Sequence, residues 1–217
     1  MDAPAILSEI DDHGFSDTSS TRKVALLNAT YWRICGMKPW PFLEKTVALN
    51  FDGTNAFPSN LPTDFKAVKS IWGTNGPIHW NRLETLRRAY GTDMTTVGQP
   101  IYFYFLGTQL RFYPVPPVGT GTLQMDYIHR PAALTSATTE ANIIIPLQYH
   151  RLLVAGTLVK LYRMEDDPEN AAEFAQEFKE LFNEMFADMW QLQFDRPDQV
   201  FITDPEEFDY DAWSLYS

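Results

Sequence analysis

"IIIPLQYHRLLVAGTLVKLYRMEDDPENAAEFAQEFKELF", residues 143–182, decides how this chain is read. Two helices and a turn are written into it. Pro146 stands near the first helical position, where a missing N–H is of no consequence. Apolar residues then cover most of the circumference, which predicts a central, buried helix. Asp167 can cap a second helix and Pro168 can open it. In that helix Ala171, Phe174, Ala175, Phe178, Leu181, Phe182, Met185, Phe186 and Met189 fall on one stripe. Glu173, Glu177, Glu180, Glu184 and Asp188 fall on the other face. At 1.5 Å per residue this second helix reaches roughly 40 Å, so one end can project beyond a single core.

Working toward the N-terminus, "ILSEIDDHGF" predicts a short helix ending at Gly14. "SDTSS" offers N-caps for "TRKVALLNATYWRICGM", in which Val24, Leu27, Ala29, Tyr31 and Ile34 recur at helical spacing. Gly36 can end that helix, and Pro39 and Pro41 forbid its continuation. The middle of the chain reads mostly as strands. "KTVALNF" alternates, and "LPTDFKAVKSIW" feeds a strand from about Lys66 to Trp72. "NRLETLRRAYG" is a short polar helix closed by Gly91. "PIYFYFLGTQLRFYP" breaks at "GT" as a tight hairpin, and Pro114 ends its second strand. In "GTGTLQMDYIHRP" Leu123, Met125, Tyr127 and His129 share one face, with Gln124, Asp126 and Ile128 on the other. The fold class expected is α+β: a helical bundle, made of N-terminal helices and two long C-terminal ones, with an inserted antiparallel β-domain and an extended C-terminal tail. The expected divisions are 1–40, 41–132, 133–194 and 195–217.

That tail holds Phe201, Phe208, Tyr210, Trp213 and Tyr216 among acids. From 195 to 217 there are seven acids and one base, so over half of the chain's net charge of −11 sits there. Large aromatics in such a setting call for a partner, and aromatic anchors carry much of the energy at interfaces. The overall sign is wrong for gripping a nucleic-acid backbone. No apolar run approaches the ~18 residues of a membrane helix, and the acidic start does not read as a signal peptide. Cys35 is the single cysteine, which fits a reducing compartment.

Chemistry is sparse. His13, His79, His129 and His150 lie at no metal-ligand spacing. His129 reads as a surface or packing residue, His150 as core or interface filling, and Cys35 in "RICGM" as a buried thiol. "GTGT" at 119–122 lacks a phosphate loop's Lys-Ser/Thr, and Asp166 and Asp167 read as a turn and cap. One basic cluster stands out: Arg82, Arg87 and Arg88, preceded by Lys66 and Lys69. It is either a solvated face or a contact for an acidic neighbouring copy.

The succession of "VALLNATYWRI", "LPTDFKAVKSIW", "GQPIYFYFLGTQLRFYPVPP", "LQMDYIHRPAAL" and the opening quotation resembles the bacteriophage head-to-tail adaptors, also called head completion or connector proteins. The tail-tubular-protein-A-like branch of short-tailed phages is the nearest variant. The resemblance implies a virion protein of the neck, made in the host cytoplasm and assembled as a ring, commonly of twelve copies. The ring would dock beneath the portal protein, extend its DNA channel, and offer a surface to a tail, nozzle or stopper protein. It implies no enzyme activity and no cofactor or metal. On that reading Phe201, Phe208, Tyr210, Trp213 and Tyr216 are anchors onto the portal or a neighbouring subunit. Glu177, Glu180 and Glu184 are candidates to line the channel, past which double-stranded DNA slides without sequence-specific binding. Arg82, Arg87 and Arg88 form a candidate inter-subunit patch. Two other classes compete: a β-sandwich module stacking carbohydrate on the "PIYFYF" aromatics, and a hydrolase using a pair of carboxylates.

Overall fold

In the computed structural model of the protein the described residues are 1–51, 55–58, 60–92, 94–117 and 123–194, the side chains of 190–194 excepted. The expected tail over 195–217 and the "GTGT" turn lie outside them. The rest is a mixture of helices and largely antiparallel sheets, as an α+β chain requires.

Helix α1 spans Ala3–Ile10, and the Asp2 carboxylate caps it by accepting from the Ala5 amide. A π-helical segment, Asp11–Phe15, follows and is broken at Gly14, whose φ of 97° suits only a residue without Cβ. Ser19 caps α2 (Ser20–Met37) by accepting from the Arg22 amide. Gly36 does not end α2, which runs one residue further. Lys38 turns extended because it precedes Pro39, and that stops the helix.

Pro146 likewise does not open the central helix. It precedes a single 3-10 turn, Leu147–Tyr149, in which the Tyr149 and His150 amides bond three residues back, and α4 spans Arg151–Met164. Asp167 caps α5 (Pro168–Phe194) as expected, accepting from the Asn170 amide at 3.1 Å. The Asn170 side-chain amide also donates to Asp167, at 2.6 Å, and this bond first and the backbone one second hold the Asp167 carboxyl below its usual range.

Nine residues of α4 are buried, Leu152–Val159 and Leu161, because α1, α2 and α5 all pack on it. Gly156 permits the closest approach. A Cβ there would stand 2.6 Å from the Thr30 methyl and 3.0 Å from the Phe178 ring. Trp40 seals one end of this core: its indole N–H donates to the Ile34 carbonyl at 2.6 Å, and Phe182 and Phe186 meet it edge-on. At the other end Phe174 stacks on Tyr162, with ring centroids 5.6 Å apart.

Two sheets form a sandwich over a second core. One contains β1 (Glu44–Leu49), β2 (Phe65–Gly73), β3 (Gly76–Pro77) and β7 (Leu123–His129), in the order β1-β7-β2-β3. The other contains β4 (His79–Trp80), β5 (Tyr102–Leu106) and β6 (Gln109–Tyr113). Leu49, Ile71, Leu123 and Met125 of the first meet Phe103, Leu110 and Phe112 of the second. The "GT" turn joins β5 to β6 with Leu106 opposite Gln109, and Gly107 takes φ 61° as a two-residue hairpin needs. The sheets are not wholly antiparallel, since β4 runs parallel to β5. Two residues of β4 carried too little pattern to be read from sequence.

Ile128 departs from simple alternation. It is buried, but with the helical residues and not in the sandwich. The strand therefore joins the two cores through its two faces. Asn28 of α2 fastens the connection that follows β7, accepting from the Leu134 amide and donating to the Leu134 carbonyl, at 2.7 and 2.8 Å.

Candidate functional site

Helix α3 (Leu83–Tyr90) lies on the outer face of the three-stranded sheet, with Leu86 buried against Tyr104 and Tyr113. Gly91 closes it, as expected. Arg82 occupies the N-cap position, and Arg82, Arg87 and Arg88 are all exposed. Lys69 does not join them, because Glu44 pairs with it. Beside α3 opens a cavity of about 300 Å³ lined by Phe57, Leu83, Arg87, Met94, Tyr104 and Arg111 among others. Arg111 lies 5.9 Å from the centre of the Phe57 ring. The cavity combines an apolar wall with two guanidinium groups, a chemistry suited to an aromatic residue flanked by acids. Only Arg87 of this set was legible in sequence. Phe57, Met94 and Arg111 come from three separate segments, so no local pattern joins them.

The acidic face of α5 divides into two parts. Glu177 is half-buried, and its carboxylate accepts from Arg151 Nε at 2.6 Å. Arg151 also pairs with Glu9, so one guanidinium ties α1, α4 and α5 together. Glu180 and Glu184 are exposed, and Glu180 accepts from Gln176 at 2.8 Å. Asp188 accepts from the Tyr149 hydroxyl. The aromatic residues Phe201, Phe208, Tyr210, Trp213 and Tyr216 lie outside the described residues.

The histidines do structural work or none that the geometry shows. His129 is buried beside Asp64, with 3.7 Å between Nδ1 and the carboxylate. Burial works against the charged form of Asp64. Hydrogen bonds from Lys45 and Tyr127, with the charges of Lys45 and His129, outweigh it and hold the carboxyl below its usual range. Burial, then the Asp64 carboxylate, pushes the Tyr127 phenol up to about 12. His150 is buried and bridges the Met1 and Ile145 carbonyls at 2.6 and 2.8 Å. His13 packs edge-on against Phe174, and His79 lies exposed on an edge strand. Among the described residues no group of His, Cys, Asp or Glu side chains could hold a metal ion. Burial pushes the Cys35 thiol up to about 12, the opposite of what a nucleophile needs.

Of the "PIYFYF" aromatics, Phe105 is 39% exposed. Phe103 and Tyr104 are buried in the sandwich and under α3, and Phe105 stacks on Phe65. Among the described residues no helix is long and apolar enough to cross a membrane.

A further group escaped the sequence reading: Arg33 on α2 with Lys160 and Arg163 on α4. Two cations four and seven residues after Gly156, beyond the wholly buried run Leu152–Val159, were the signal that pointed to it.

No curated protein matches the chain. The family model described as SU10 adaptor protein matches residues 1–201, which covers most of the chain. Together with an α+β fold whose exposed features are charged and aromatic surfaces, this establishes that the chain belongs to the SU10 adaptor protein family, structural adaptors of the phage neck.

Proposed function

We propose that the chain is a ring-forming head-to-tail adaptor, nearest to the tail-tubular-protein-A-like branch. It docks beneath the portal, extends the DNA channel and receives the next tail component. The observation that carries this reading is the family match over residues 1–201. Side chains that a solitary domain would bury support it: Trp32, Trp72, Trp80, Ile101 and Leu147 are each about half exposed. Residues 195–217 form an arm whose Phe201, Phe208, Tyr210, Trp213 and Tyr216 anchor onto the portal or a neighbouring subunit. Arms that are weak singly act together in a ring. Arg82, Arg87 and Arg88 meet an acidic surface of a neighbour. Glu180 and Glu184 face the channel, where carboxylates repel the DNA backbone and let it slide. Glu177 joins them only at the cost of its bond to Arg151.

The test is imaging of purified protein alone and mixed with portal. Rings seated on the portal are expected with the full chain. A variant lacking 195–217 should keep its circular dichroism spectrum and fail to dock. No portal complex from the full chain would refute the assignment, and unfolding of the truncated variant would make the arm a core element.

A further inference from the structure

The cavity beside α3 stands on the outer face of the β5–β6 hairpin, where Tyr104 and Arg111 are direct cross-strand partners and Leu106 follows on the same face. Helix α3 forms one wall through Leu83 and Arg87, one turn apart. The other walls are fastened to the sheet. The Ala56 carbonyl accepts from the Phe112 amide at 2.7 Å, and the Thr96 carbonyl accepts from the Val115 amide at 2.9 Å. The space is therefore preformed. At about 300 Å³ it is ample for an aromatic side chain, since a cavity of about 150 Å³ holds benzene. Among the described residues neither Arg87 nor Arg111 pairs with a carboxylate. Arg111 donates to the neutral Gln109 amide oxygen, from Nε at 3.3 Å and from Nη2 at 2.8 Å. Tyr104 is 4% exposed, and its hydroxyl is open to water with no hydrogen-bond partner among the described residues. A phenol so deeply set, lining a cavity and lacking a partner, points to a ligand.

We propose that in the free chain this cavity holds the Phe208 ring of the chain's own arm, with Glu207 and Asp209 at the mouth on Arg87 and Arg111 and an arm carbonyl on the Tyr104 hydroxyl. Charge and ring together select the occupant: in the whole chain only Phe208 and Tyr210 are aromatic residues with an acid on each side. Phe208 brings no hydroxyl for the Phe57, Leu83 and Met94 wall to leave unpaired. Position selects the chain's own arm over another copy's. Helix α5 meets Trp40 at Phe182 and Phe186 and ends about two turns later. Trp40 leads through one short turn into β1, whose first residue, Glu44, faces Ile128. Next to Ile128, His129 faces Phe65, and Phe65 stacks on Phe105. Leu106, the following residue, lines the cavity. The arm therefore starts at the end of the sandwich on which the cavity's Leu106 side also lies. Phe208 is fourteen residues past Phe194, a reach of about 48 Å when extended. A tether of that length holds the ring near the cavity at roughly millimolar effective concentration, above that of any other copy in dilute solution.

So parked, the arm keeps Arg87 from a neighbour and Phe208 from the portal until docking draws it off, and that last step alone rests on the adaptor reading. The test uses the full chain in dilute solution, with methionine methyl groups carrying carbon-13 and a nitroxide on Ala212→Cys; Cys35 is buried and stays unlabelled. Met94 lines the cavity and reports on its occupant. The nitroxide is expected to broaden the Met94 methyl signal within its own chain. The broadening should fall at least fivefold in Phe208→Ala and in Arg87→Glu. It should return when Arg87→Glu is combined with Glu207→Lys and Asp209→Lys. Met125, in the sandwich core, keeps its signal position in each variant if the fold is intact. No broadening with the unaltered arm, or broadening indifferent to both Phe208→Ala and Arg87→Glu, would overturn the proposal. So would equal broadening of Met94 in a nitroxide-free chain mixed with spin-labelled chain, which would give the cavity to another copy's arm. A parked arm in a chain that never seats on the portal would refute the adaptor reading and leave the cavity's occupant as proposed.

Discussion

Replacing Lys160 with methionine should make the protein more stable. The ammonium is partly buried at the side of α4 and stands near Arg33, and its pKa falls from the ordinary 10.5 to about 8. Taken at face value that drop corresponds to about 3 kcal/mol against the charged form. Part of the group remains in water, which screens the repulsion and leaves roughly 1–2 kcal/mol. Methionine keeps the apolar stem and removes the charge. The pH dependence is the sharper readout. The folded pKa lies below the unfolded one, so between about pH 8 and 10.5 the unfolded chain binds more protons and wild-type stability rises with pH. Below pH 8 the penalty is full and constant. The advantage of Lys160→Met should therefore be about 1–2 kcal/mol at pH 7 and shrink toward zero by pH 10.5. Urea unfolding followed by circular dichroism at pH 7, 9 and 10 measures it. A variant less stable than wild type at pH 7, or a gain that does not change with pH, would show that Lys160 is comfortably solvated and refute the reasoning.

Gly156→Ala should lose about 1–3 kcal/mol, since the new methyl meets the stiff Thr30 side chain and the Phe178 ring and strain exceeds the gain in helix propensity. A rise in melting temperature would show that α2 and α5 yield there. Asn28→Ala strips the Leu134 amide and carbonyl of their partners at a buried site and should lose roughly 2–4 kcal/mol in denaturant titration. Trp40→Ala opens a cavity under Phe182 and Phe186 and orphans the Ile34 carbonyl, with an expected loss of about 3–5 kcal/mol. Cys35 should resist a thiol reagent at pH 8 in the folded protein and react promptly in denaturant, and fast native labelling would contradict its burial.

Local chemistry was readable wherever a pattern repeats over many residues. The Phe174, Phe178, Phe182 and Met185 stripe and the Asp167–Pro168 opening needed only 3.6-residue periodicity and cap chemistry. The β5–β6 hairpin was announced by "GT" between aromatic strands. Misreadings fell at ends and on very short elements. Gly36 and Pro146 looked like boundaries, and neighbouring residues moved them by one to five positions. Strands β3 and β4 have two residues each, fewer than any periodicity can show.

The sequence alone determined the element types, the acidic, aromatic end and the likeness to phage adaptors, because each is a property of neighbours along the chain. Tertiary structure alone decided which charges meet an opposite charge and which meet a like one. Glu177 and Arg151 are 26 residues apart in sequence and joined in space, whereas Arg33 and Lys160 meet as like charges across two helices. Attraction and repulsion between side chains depend on distance and burial, and packing sets both.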